Sequence, residues 1–193
     1  MYRIVMTLCL AIFLSSCAAT PVLTDKGDMS REIRQKAPVV SSVDISPDGR
    51  YVLSGSLDSF ILWDIRRGEK VQTFTHESFL DNAIKVAFSP DGKHFASGGK
   101  GTKLWDFATK KELRTFDDLV ALSITFSPDG REFIYGGRGK DSIKIFDTAT
   151  GRTIKDFKLQ PDAVYSIAHS PDGRYVISGC GDSGLTLWNH SSG

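Results

Sequence analysis

The chain is short of cysteine, of net charge and of long apolar runs, and each shortage removes a class of protein. Its cysteines are Cys9, Cys17 and Cys180. Cys9 lies in an apolar leader and Cys17 just behind it, so Cys180 is left alone and an internal disulfide framework is excluded, even in an oxidising compartment. Lys and Arg number 24 against 23 Asp and Glu. A chain so nearly neutral has no electrostatic footprint for a phosphate backbone, which sets nucleic acid aside as a partner. The apolar run Ile4 to Leu14 is broken only by Thr7. It is too short to cross about 30 Å of hydrocarbon as a helix. After residue 20 no long helical apolar pattern appears, so the body is expected to be all-β.

What is present begins with that run. Arg3 before it and small residues after it give the layout of a secretory signal. The run ends in Leu14-Ser15-Ser16-Cys17, which resembles a bacterial lipobox. The resemblance implies cleavage before Cys17, a diacylglycerol on its sulfur and a lipid-bilayer partner. An ordinary signal cut near Ala18-Ala19 is the alternative. Residues 1–16 are then a signal peptide and 17–38 the lipidated Cys with a polar tether. Localisation follows as a membrane-anchored lipoprotein of the bacterial envelope facing the periplasm. Ala18 rather than Asp after the Cys favours the outer membrane.

A phrase then returns through the remaining chain: Ser46-Pro47-Asp48-Gly49, Ser89-Pro90-Asp91-Gly92, Ser127-Pro128-Asp129-Gly130 and Ser170-Pro171-Asp172-Gly173. Pro at the second place and Gly at the fourth suit a type I turn opened by Ser. A second mark follows each phrase: Trp63-Asp64, Trp105-Asp106, Phe146-Asp147 and Trp188-Asn189, spaced 42, 41 and 42 residues apart. A period of roughly 40–45 residues is that of a propeller blade. Alternating segments such as Val43-Asp44-Ile45 and Ile124-Thr125-Phe126 precede each turn, and apolar residues at every second place predict half-buried strands. Gly98-Gly99, Gly136-Gly137 and Gly179 recur at one repeat position and are expected to be turns.

These marks resemble the WD-repeat β-propeller family from about residue 40 to the end. The propeller repeat of prolyl-oligopeptidase-type and periplasmic translocation proteins shares the Ser-Pro-Asp-Gly turn, but the Leu-Trp-Asp endings favour the WD type. The expected domain is 39–193, with blades near 40–75, 83–117, 120–158 and 163–193. Each repeat has four antiparallel strands, except that the last lacks its own fourth. The resemblance also implies a hydrogen-bonded tetrad of His, Ser or Thr, Asp and Trp in each blade. This sequence keeps it in pieces: Ser54, Asp58 and Trp63; His76, Ser97 and Trp105; Asp141; and Ser178, Asp182 and Trp188.

Catalysis finds no residues to carry it. The four turn Asp each sit in their own turn with no partner spaced to converge. His76, His94, His169 and His190 come from inequivalent repeat positions, so neither a metal site nor a base–nucleophile pair emerges. His169 stands where Ile45, Phe88 and Phe126 stand, and reads as a core histidine. No enzyme, cofactor or metal is expected. The expected function is a non-catalytic interaction scaffold with an unknown protein partner, and the alternative is the propeller part of a larger protein or of a propeller-containing hydrolase. Candidate binding residues are Phe79 and Leu80 in the longest loop, with Lys100, Arg138 and Lys140 as a basic cluster on adjacent blades. In the family, N-terminal residues supply the last blade's fourth strand. Here about Ser30 to Gln35 would have to do so with one apolar residue, so an incompletely closed propeller is expected, one that self-associates, needs a partner or is a piece of a longer propeller.

Overall fold

The computed structural model describes residues 39–76, 84–116, 120–138, 143–157, 163–181 and 184–190. The leader, Cys17 and the tether lie outside them, as do Phe79, Leu80, Lys140, Asp141 and Asp182. All described elements are strands. The first blade comprises β1 (Ser42–Ile45), β2 (Tyr51–Gly55), β3 (Ser59–Asp64) and β4 (Glu69–Thr75). The second comprises β5 (Lys85–Phe88), β6 (His94–Gly99), β7 (Gly101–Asp106) and β8 (Glu112–Phe116). The third runs β9 (Ala121–Phe126), β10 (Glu132–Gly137), β11 (Ile143–Asp147) and β12 (Thr153–Phe157). The fourth has three strands among the described residues: β13 (Val164–His169), β14 (Tyr175–Cys180) and β15 (Leu185–Asn189). Every sheet is an antiparallel meander in sequence order.

The Ser-Pro-Asp-Gly phrases build the turn between the first two strands of each blade. The Gly N–H donates to the Ser carbonyl at 2.8–2.9 Å, and each Gly takes a positive φ near 70°, which only glycine adopts freely. The side chains close the turn as well. Ser46, Ser89, Ser127 and Ser170 donate their hydroxyls to Asp48, Asp91, Asp129 and Asp172 at 2.6–2.7 Å. Each Asp then accepts a backbone N–H two residues on, as Arg50 and Arg174 show at 3.1 Å. The four carboxylates are occupied in holding turns.

One blade cannot bury both faces of its sheet, so neighbours stack. Three apolar clusters fill the three joints. Leu53, Phe60 and Leu62 meet Val86, Phe88 and Phe95 between the first and second blades. Ala96, Leu104 and Phe116 meet Phe126 and Phe133 between the second and third. Ile134, Ile143 and Ile145 meet Val164, Ile167 and Val176 between the third and fourth. Outer strands β4, β8 and β12 each bury one residue, Phe74, Phe116 or Phe157, and expose most of the rest.

The recurring glycines differ from the expectation of turns. Gly55, Gly98 and Gly136 lie in the second strands, and a Cβ on any of them would collide with the next blade. At Gly55 it would meet the Ile84 carbonyl, at Gly98 the Ala121 and Ile124 side chains, and at Gly136 the Val164 Cγ1 at 2.8 Å. They are close-approach points at the joints, where strand meets strand with no room for a side chain. Among the described residues the series does not close: the first strand of the first blade and the third strand of the fourth leave large apolar side chains exposed.

Candidate functional site

Inside the blades the polar positions singled out in the sequence divide into those that meet and those that do not. Trp63 Nε1 donates to Ser54 Oγ at 2.8 Å, Trp105 Nε1 to Ser97 Oγ at 2.9 Å and Trp188 Nε1 to Ser178 Oγ at 2.9 Å. Each tie crosses between second and third strands and gives a buried indole N–H its partner, worth a net of about 1 kcal/mol. His76 joins one of them, with Nδ1 2.9 Å from Ser97 Oγ. Burial lowers the His76 pKa below the usual 6.5 and nearby Lys103 adds to this, while the backbone at Lys100 and Gly101 favours the charged ring without prevailing. Asp58 does not join a tetrad: it is exposed, and what it supplies is its backbone carbonyl, 3.0 Å from the His76 N–H.

The third blade solves the same position differently. Tyr135 stands where the others have Ser, fully buried, and Phe146 stands where they have Trp. The large-for-small exchange at one place offsets the small-for-large exchange at the other. Phe146 stacks on Phe133 at 5.0 Å between ring centroids. Gly137 has no side chain because the Tyr135 hydroxyl and the Val120 carbonyl occupy that space.

A cleft of about 300 Å³ opens between the third and fourth blades, lined by two Ser-Pro-Asp-Gly turns, Glu132, His169 and His190. His190 Nε2 lies 2.6 Å from Glu132 Oε2, and the His169 ring is 5.8 Å from that of His190. Sequence spacing gave no sign of this grouping, since Glu132 and His190 are 58 residues apart and belong to different blades. His169 is half-buried in the cleft rather than a core residue, and neither ring nitrogen has a hydrogen-bond partner. Burial, reinforced by His190 and opposed by Asp129, lowers its pKa to about 4. The neighbouring Ser127 and Ser170 hydroxyls are held by the turns, so a nucleophile aligned with a base is missing here. Among the described residues no group of three His, Cys, Asp or Glu is placed to hold a metal ion.

On the opposite ends of the second strands, Lys100 and Arg138 follow Gly99 and Gly137 at equivalent places on neighbouring blades, and both are exposed. They mark one rim of the described blades.

Residues 29–64, 68–106 and 151–189 match the family described as WD domain, G-beta repeat. The chain belongs to the WD-repeat family. Between these matches lies 107–150, which holds β8 of the second blade and the first three strands of the third, where Tyr135 and Phe146 replace the Ser and Trp of the other WD repeats. Three relatives give the setting. The chain is 32% identical over 164 residues to the guanine nucleotide-binding protein subunit beta of Arabidopsis thaliana, covering 77% of this chain and 43% of that protein. It is 24% identical over 165 residues to the target of rapamycin complex subunit wat1 of Schizosaccharomyces pombe, covering 84% and 52%. With the small ribosomal subunit protein RACK1y of Oryza sativa subsp. japonica it is 28% identical over 165 residues, covering 79% and 48%. The WD-repeat chain spans about half the length of these curated relatives.

Proposed function

We propose that this WD-repeat chain is a non-catalytic interaction scaffold, held by lipid on Cys17 at a bacterial envelope membrane, the outer one by preference, and facing the periplasm. The observation that carries the scaffold reading is that the Ser and Asp side chains repeated through the blades are committed to structure. The turn Ser hydroxyls bind the turn Asp carboxylates, and the blade Ser hydroxyls bind Trp. The exposed Lys100 and Arg138, at equivalent ends of neighbouring second strands, form the rim at which this scaffold meets its partner. The names of the three relatives, each a subunit of a larger assembly or particle, support the same reading. The anchor rests on Leu14-Ser15-Ser16-Cys17 directly behind the apolar run, and the outer-membrane preference on Ala18.

Metabolic labelling with palmitate, in cells carrying a photo-crosslinking amino acid at Arg138, tests both parts. Wild type should take the label and sediment with membranes, and Cys17→Ser should be unlabelled and soluble. Irradiation should give a discrete adduct with another protein. An unlabelled wild type removes the anchor, and irradiation without any adduct removes the rim as the contact surface.

A further inference from the structure

The two end blades carry the two halves of one joint. In every internal joint the trailing face of one blade receives the leading strand of the next. The trailing face is built from fixed places in the second and third strands. At two of those third-strand places the first three blades put Phe60, Thr102 and Ile143, then Leu62, Leu104 and Ile145, all at most 1% exposed. The fourth blade puts Leu185 and Leu187 there, 71% and 61% exposed. The leading face repeats in the same way. Val86 and Ile167 are buried under the preceding blade, as is Phe88, while Val43 and Ile45 in the first blade are 66% and 58% exposed.

Two polar details of the joint recur as well. Ser42 Oγ accepts the Val86 N–H at 3.0 Å, and Ser123 Oγ accepts the Ile167 N–H at 3.2 Å, the same contact at the first and third joints. Ser166 stands at that place in the fourth blade and is exposed. Gly179 stands where Gly55, Gly98 and Gly136 make their close approaches, yet the nearest atom to a Cβ there is Ser166 Cβ at 3.8 Å, within its own blade. Nothing in the fourth blade itself requires glycine at that position. A strand arriving from outside would.

We propose that the fourth blade of one chain receives the first blade of a second copy, with Val43 and Ile45 packed on Leu185 and Leu187 and the incoming backbone against Gly179. The argument is one of continuity: the internal joints of this chain already show how such a trailing face and such a leading strand fit, and a copy of the chain supplies the missing half at each end. The contact is head-to-tail. If its rotation closes after two copies, it forms an eight-bladed ring with two identical joints, inside the four-to-eight range of propellers. The pairing does not depend on the lipid anchor.

The test is the mass of the full chain in mild detergent, measured by light scattering with the detergent contribution subtracted, across a hundredfold range of concentration. Wild type is expected at twice the chain mass at the upper end. Gly179→Val should leave the single copy folded, because the space beside Gly179 is open, and should weaken pairing at least tenfold. Leu187→Lys, at an exposed position, should do the same by an independent route. A wild type that stays single throughout overturns the proposal and leaves these faces to a different partner. So does any assembly, of two copies or more, that both variants leave intact.

Discussion

His169 is the residue whose chemistry is set most plainly by where it sits. Phe88 and Phe126 hold the equivalent place in the second and third blades, both buried. A histidine there must stay neutral, and its pKa falls from 6.5 to about 4, chiefly through burial. Between those values the unfolded chain binds a proton that the folded chain does not. Stability from this group is therefore full above pH 6.5 and is lost as pH falls towards 4. His76 shifts in the same direction and adds to the loss. The turn carboxylates act lower. Asp48, Asp129 and Asp172 are held below the usual 3.8, first by the Ser hydroxyl each accepts, so their contribution persists above 3.8 and disappears only below it. Denaturant unfolding at pH 7.5 and pH 5 separates these groups. Wild type should lose stability between the two values, and His169→Phe should lose distinctly less while keeping the part due to His76. Equal losses would remove His169 from the account.

At the scale of the element, the blades show why part of the molecule could be read in the sequence and part could not. Turn chemistry is local: Ser, Pro, Asp and Gly within four residues specify the same turn four times, so the blade period and strand order were legible. The glycines at the ends of the second strands were not, because their reason lies in the next blade, at Ile84, Ile124 or Val164. The His169–His190–Glu132 grouping was hidden for the same reason, since the third joint assembles it. Asp58 matched a motif by position, but the buried His76 beside it meets only the Asp58 backbone carbonyl and places its ring nitrogen against Ser97, so the Asp58 carboxylate stays in solvent. In the third blade the losses of Ser and Trp were visible, while their mutual compensation needed the register that sets Phe133 opposite Phe146, two residues before Tyr135. That compensation is testable. Tyr135→Ser alone should cost about 3 kcal/mol through the cavity it leaves. Phe146→Trp alone should cost about 2 kcal/mol by overpacking. The double variant restores the Ser–Trp pair of the other blades and should cost at least about 1 kcal/mol less than the two together. Simple additivity in equilibrium unfolding would show that the two positions do not share one space.

Over its described residues the chain is a run of blades in which each internal joint is buried and the outer faces of the first and fourth blades are exposed. Stability in such a series is a sum of blade terms and neighbour terms. The first and last blades each lack one neighbour term, which is why their apolar faces carry the expectation of a partner. Hydroxyl-radical footprinting of the full chain, read residue by residue in a mass spectrometer at high dilution, tests this most directly. An open series predicts heavy oxidation at Val43, Ile45, Leu185 and Leu187, and protection at their counterparts Val86, Phe88, Leu62 and Leu104. On concentrating the sample the four end residues should become protected while the internal ones do not change. Protection of Val43 and Leu187 equal to that of Val86 and Leu62 in the dilute single copy would contradict the account, because it would mean that the ring closes on itself.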